Sequence, residues 1–263
     1  MGQYFMWLNP VKGEYIQPVD FDHRSKRRES SWVGCELLDA LFTLMASDWK
    51  EDPIVWIGDD YTELHNESNP TLQITEKICG SEPFDYAISV FKNVSCQFSS
   101  CDKRDVVTNA FHIEILKKYG LDEDDISQYF DSCCEKYGPF SYGNSFYEIK
   151  YKDNFEEFAQ FMAGYLEDKG MFARKANSYH LIINCTKKEF INTENIIPDN
   201  GYRYNPFPAL MIKEDGRYRL REHSENDCCG KWLGDEIHIS NDISDVPDDF
   251  IEVSNKYTWE NGY

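Results

Sequence analysis

Gln3-Tyr4-Phe5-Met6-Trp7-Leu8-Asn9-Pro10-Val11-Lys12-Gly13-Glu14-Tyr15-Ile16 has a counterpart far downstream in Ser178-Tyr179-His180-Leu181-Ile182-Ile183-Asn184-Cys185-Thr186-Lys187-Lys188-Glu189-Phe190-Ile191. Tyr, Asn, Lys, Glu and Ile recur in register at an offset of 175 residues, and Tyr15 aligns with Phe190. A second pair, Trp56-Ile57-Gly58-Asp59-Asp60 and Trp232-Leu233-Gly234-Asp235-Glu236, recurs at an offset of 176. The two pairs imply an internal duplication. In the first copy, aromatic and β-branched residues at 3–9 and 14–19 flank Pro10-Val11-Lys12-Gly13, which reads as a hairpin. Both faces of residues 4–8 are apolar, so this strand should be covered on both sides. The second hairpin lacks the Pro and Gly of the first turn.

Outward from the hairpins, residues 31–49 read as an amphipathic helix. Val33, Leu37, Leu41, Leu44, Met45 and Trp49 share one face; Glu36, Asp39, Thr43 and Ser47 share the other. Ile54–Ile57 predicts a short buried strand. Residues 71–79 and 84–94 read as further strands, the latter with a helical alternative. From 102 onward the character changes. Asp102 can cap a helix ending at Lys118 and Gly120. Asp122 can cap the next, with Leu121 and Ile126 as a hydrophobic staple and acids in its first turn. A strand at 145–151 and a helix headed by Asn154 and Glu157 follow, with an apolar face of Phe155, Phe158, Phe161, Met162, Tyr165 and Leu166. In the second copy a Pro-aromatic loop at 197–208 stands where the first has its helix, and 209–213 with 217–221 suggests a hairpin. The expected architecture is α+β: a mixed or antiparallel sheet from two related halves, residues 1–101 and 176–263, with a mainly helical insertion at 102–175.

The 263 residues carry a net charge of −20, spread over the whole chain after residue 30. Such a field repels phosphate backbones, which argues against direct nucleic-acid binding and favours a basic protein partner or simple solubility. His23-Arg24-Ser25-Lys26-Arg27-Arg28 is the one basic cluster. No apolar stretch approaches the ~20 residues of a membrane span. The N-terminus lacks a secretory pattern, so a cytoplasmic protein with reduced thiols is expected, and the nine cysteines fall at irregular spacing.

The opening Met1-Gly2-Gln3-Tyr4, the Asn9, Lys12, Glu14, Tyr15 hairpin and Trp232-Leu233-Gly234-Asp235 together resemble a group of uncharacterised bacterial and phage proteins. Those begin Met-Gly-Gln-Tyr-Tyr, continue Asn-x-x-Lys-x-Glu-Tyr and later carry Trp-x-Gly-Asp. This chain departs by Phe5, by the duplication and by the helical insert. The resemblance implies no activity, cofactor or site residue.

Three chemical readings compete. Asp59, Asp60, Asp235 and Glu236 could converge to hold a divalent cation for hydrolysis, or could simply end strands in turns anchored by tryptophan. Cys96 and Cys101 with His112, or Cys228 and Cys229 with His223 and His238, could be written as zinc ligands, although no Cys-x-x-Cys pair is present. A pocket between the halves near 198–208 could take a small ligand such as a nucleotide. No nucleophile elbow, His-Glu-x-x-His or Gly-rich phosphate loop occurs, and no cofactor is expected. The favoured expectation is a non-enzymatic acidic protein that blocks a basic partner, as an immunity protein or phage anti-defence inhibitor would. Its candidate contacts are Asp122, Glu123, Asp124, Asp125, Asp245, Asp248 and Asp249, with Tyr202, Tyr204 and Phe207 as aromatic anchors.

Overall fold

The computed structural model describes residues 4–23, 29–59, 69–103, 106, 113–137, 155–212 and 228–257. Two four-stranded sheets organise them. The first contains β1 (Phe5–Asn9), β2 (Glu14–Ile16), β3 (Val55–Gly58) and β4 (Lys92–Asn93), in the order β3-β1-β2-β4. The second contains β5 (Leu181–Asn184), β6 (Glu189–Asn192), β7 (Ile237–Ser240) and β8 (Ile251–Glu252), in the order β7-β5-β6-β8. Each sheet is a central antiparallel hairpin, flanked by an antiparallel strand on one side and a parallel two-residue strand on the other. The fold is therefore α+β with two related halves, as the duplicated hairpin implies.

Local chemistry explains the hairpins. Asn9 is buried at the end of β1, and its Oδ1 accepts the Val11 and Lys12 N–H groups, closing the turn. Asn184 is its buried equivalent and accepts the Lys187 N–H at 2.8 Å. The last turn position needs a left-handed backbone. Gly13 supplies it at φ +63°, and the second copy forces Lys188 into it at φ +55°. Position 188 is 175 residues beyond 13, so the missing glycine marks a tolerated strain in the same turn.

Both faces of the first sheet are covered, as its sequence predicts. Phe5, Trp7, Ile16 and Trp56 face the main core; Met6, Leu8, Tyr15, Val55 and Ile57 face a second cluster. That second cluster is closed by helices α2 (Pro70–Cys79) and α3 (Pro83–Val90). These two segments correct the strand expectation for 71–79 and bear out the helical alternative for 84–90. Asn69 caps α2 by accepting from the Thr71 and Leu72 N–H groups, and Pro70 and Pro83 occupy first helical positions. Thr71, Leu72, Thr75 and Cys79 then repeat at helical spacing on the buried side.

Helix α1 (Glu36–Met45) is shorter than the 31–49 pattern and more deeply buried. Thr43, expected on the solvent face, is buried; its hydroxyl donates to the Asp39 carbonyl and accepts the Asn177 N–H. Between the sheets in sequence come α4 (Ile113–Lys118), α5 (Glu123–Tyr137) and α6 (Phe155–Asp168). Asp122 caps α5 through the Asp125 N–H, and Leu121 and Ile126 are both buried, as a staple requires. The expected strand at 145–151, Asn154 and the basic residues 24–28 lie outside the described residues.

Within the Pro-aromatic stretch of the second copy, Phe207–Leu210 form one turn of helix, α7. Ala209 and Leu210 therefore belong to a helix, not to the expected strand. Phe207 is fully buried at the centre of the molecule. It stacks on Trp7 of the first sheet at 5.6 Å and meets Trp232 of the second half edge-on at 6.5 Å. The inner faces of both sheets thus share one core, which also holds Ile182, Ile191 and Val253.

Candidate functional site

The hydrogen-bond register redraws the correspondence between the copies. Trp232 does not match Trp56. Trp56 lies within β3, paired with Trp7, whereas Trp232 lies ahead of β7. The equivalent of Trp232 is Trp49, 183 residues earlier. Trp49 donates its indole N–H to Glu14 at 2.7 Å, and Trp232 donates to Glu189 at 3.1 Å. Three residues later Asp52 accepts from Asn9 at 2.9 Å, and Asp235 accepts from Asn184 at 2.8 Å. Lys12 and Lys187 then pair with Asp52 and Asp235 at 3.6 and 2.9 Å. One network of Asn, Lys, Glu, Trp and Asp is built twice.

A third correspondence has almost no sequence signal. Val94-Ser95 matches Val253-Ser254: the two valine N–H groups donate to the carbonyls of Tyr15 and Phe190. The two serine hydroxyls accept the N–H groups of Gln17 and Asn192. Beside them the copies exchange partners. In the first, Asn93 donates its amide to Asp20 at 2.8 Å; in the second, Asn195 donates to Glu252 at 2.8 Å. Asp20 and Asn195 share one position, Asn93 and Glu252 the other. The acid and the amide have traded places while the bond is kept.

These networks decide what the repeated acidic positions do. Asp59 follows β3 and accepts the Tyr4 N–H at 2.9 Å. Asp235 is held in the Asn184–Lys187 lock of the other sheet. Among the described residues, Asp59, Asp235 and Glu236 do not form a three-carboxylate group, and Asp60 lies outside those residues. Gly234 also has a packing role: at φ +86°, a Cβ there would come within 2.8 Å of Asn69, whose amide donates to the Leu233 carbonyl. The cap of α2 thereby ties the first half to the Trp-x-Gly-Asp turn of the second.

Glu189 is the most connected carboxylate in either network. Burial works against its charged form. Hydrogen bonds from Lys256, Trp232 and Tyr257 outweigh that and hold its carboxyl below the usual glutamate range. Burial, then the hydrogen bond to Glu189, pushes the Tyr257 hydroxyl up.

A cleft of about 270 Å³ opens between the halves, where Trp49, Glu51 and Asp52 face Asp235, Glu236 and Ile237. Its lining contains none of residues 198–208, where a ligand pocket was expected. Four carboxylates point to a cationic guest, but Lys12 and Lys187 already pair with two of them.

The expected partner contacts divide by place. Asp122 is a helix cap, Glu123 pairs with Lys117 and Asp125 with Lys169, so these acids complete the start of α5; Asp124 is exposed. Phe207 has no exposed surface and leaves the contact set, because the core between the halves consumes its ring. Tyr202 is 61% exposed and lies 6.2 Å from the Tyr204 ring. Asp245, Asp248 and Asp249 are exposed around β8, with Asp249 paired to Lys188.

The expected zinc groupings lie only partly among the described residues. Cys96, Cys101 and Cys228 are buried thiols, and burial chiefly raises the Cys96 thiol far above its usual range. His112 and His223 lie outside the described residues. His238 instead meets Cys185 and Glu236: one ligand atom from each falls within 4.8 Å of the others. Burial and then the Glu236 carboxylate push the Cys185 thiol up.

Comparison with protein-family models, with curated proteins and with solved structures finds no match to this chain. Among the described residues, no helix is long and apolar enough to cross a membrane.

Proposed function

We propose that this chain is a non-enzymatic acidic protein that binds and blocks a basic site on another protein, of the immunity or anti-defence kind. The rim around β8 carries this reading. Ile243 and Ile251 are 61% and 66% exposed within the acidic run Asp242, Asp245, Asp248, Asp249 and Glu252. Ile197, 72% exposed, is held to the same edge by its N–H bond to Asn255 at 2.8 Å. Exposed isoleucines set among carboxylates suit a partner surface with apolar pockets ringed by Lys and Arg. The carboxylates steer and orient; the aliphatic side chains supply the desolvated anchors. Lys188 offsets one of these charges, through Asp249.

The test is to isolate binding partners from the native host with the full tagged chain, then measure affinity. On this reading, affinity falls at least about tenfold from low to physiological salt. It falls similarly in the triple variant Asp245→Lys, Asp248→Lys, Asp249→Lys, and in Ile251→Ala. An affinity indifferent to salt and to all four substitutions would refute it.

A further inference from the structure

We propose that Cys185, Glu236 and His238 form a divalent transition-metal site of the kind that takes zinc, with three protein ligands and an open fourth position. This site is independent of the partner-binding rim. Three donor types converge there: a thiol sulfur, an imidazole nitrogen and a carboxylate oxygen, all within 4.8 Å of one another. Zinc accepts all three, at about 2.3 Å from sulfur and about 2.0–2.2 Å from nitrogen and oxygen. Tetrahedral ligands at those lengths stand about 3.3–3.7 Å apart. The His238 Nε2–Glu236 Oε1 separation is 3.1 Å, and the Cys185 sulfur lies within 4.8 Å of both, so small side-chain shifts bring the three to ligand spacing. Sulfur and imidazole disfavour magnesium and calcium, which want oxygen ligands.

The backbone beneath the ligands is fixed. Cys185 ends the β5 ladder and donates its N–H to the Glu236 carbonyl at 2.9 Å; the Glu236 N–H donates to Thr186 Oγ1 at 3.0 Å. His238 stands two residues beyond Glu236 in the same extended run and so projects from the same face. The His238 and Glu236 side chains are 42% and 57% exposed, which leaves an entry path.

The duplication supplies a control that a single copy could not. The first-half positions equivalent to Cys185, Glu236 and His238 are Pro10, Pro53 and Val55, none of which can ligate. The scaffold therefore requires no donor at these places. In the first half α2 and α3 lie between the third and fourth strands; in the second only residues 241–250 do. The donors occur in the half that lacks this two-helix cover. Glu236 also lines the cleft between the halves, so the open position would stand at its rim, available to water or an anionic group.

Cobalt(II) is the probe. It is added to the reduced, metal-free full chain, and its thiolate-to-cobalt charge-transfer band and four-coordinate visible bands are followed. The expected result is one equivalent bound with both features, bleached by added zinc, which binds such sites more tightly. Cys185→Ser removes the charge-transfer band. His238→Ala and Glu236→Gln each weaken binding at least about tenfold, and Cys229→Ser leaves the spectrum unchanged. Near-ultraviolet circular dichroism of the metal-free variants checks the fold, which these solvent-facing substitutions should preserve. A wild-type chain with no charge-transfer band, or a band that survives Cys185→Ser, overturns the proposal.

Discussion

Asn93→Asp tests whether the exchanged acid and amide are one interaction built twice. Asp20 and Asn93 are fully or almost fully buried, and the Asn93 amide donates to Asp20 Oδ2 at 2.8 Å. In the variant two carboxylates face each other at that distance. With an effective dielectric constant of about 20, their repulsion is about 6 kcal/mol. Protonating one carboxyl near pKa 4 at pH 7 costs less, about 4 kcal/mol, so the folded variant takes up a proton instead. Its folded pKa is therefore raised above the unfolded value. Stability relative to wild type is then retained below about pH 4 and lost as pH rises, by about 1.4 kcal/mol per pH unit up to neutrality. Adding Asp20→Asn restores an amide-to-carboxylate bond in the sense used by Asn195 and Glu252, and should recover at least about 2 kcal/mol at pH 7. Urea unfolding of the four proteins at pH 4.5 and 7, on a common slope, measures this cycle. A single-variant penalty below about 1 kcal/mol at pH 7, a penalty independent of pH, or a double variant as unstable as the sum of its parts would refute the reasoning.

Three further outcomes follow from the paired copies. Glu189→Ala strands the Trp232 and Tyr257 donors and should cost about 3–5 kcal/mol, whereas Glu14→Ala, with its bond from Trp49, should cost about 1–2 kcal/mol; urea midpoints separate them. Because the folded carboxyl of Glu189 is lowered, its contribution is present above about pH 4.3 and lost as pH falls through the folded value, so acid should narrow the gap between wild type and Glu189→Ala. Gly13→Ala should lose about 1–2 kcal/mol from its left-handed backbone, while Lys188→Gly should stay within about 0.5 kcal/mol of wild type, relief of strain offsetting the freer unfolded chain; thermal unfolding compares the two.

The candidate sites were legible only in part. The acidic run at 245–249 was visible because charge density is a property of sequence. The exposure of Ile197, Ile243 and Ile251 was not, because an isoleucine in a strand or loop has no letter that tells rim from core. Phe207 shows the opposite failure: its loop of prolines and tyrosines looked like an exposed patch, yet the turn at Phe207–Leu210 drives the ring into the core. The Cys185, Glu236 and His238 cluster joins the end of β5 to the start of β7, about fifty residues on, so no local spacing announces it.

What the sequence determined by itself is the repeated hairpin. Its Asn, Lys and Glu positions stand within a few residues of one another, and close spacing survives duplication intact. The same directness served the cap and staple of α5. Asn69-Pro70 and Glu82-Pro83 were also local signals, but the β-branched residues after them concealed the helices. The tertiary structure alone decided how the copies align beyond the hairpin. The letters pair Trp56 with Trp232 because both precede x-Gly-Asp at nearly the right offset. Pairing Trp49 with Trp232 needs the offset to grow from 175 to 183, and pairing Val94-Ser95 with Val253-Ser254 needs it to fall to 159. Insertions between strands shift those offsets freely. Each indole must still reach its glutamate, and each buried amide a carboxylate, because a buried polar group left without a partner costs more than a changed loop.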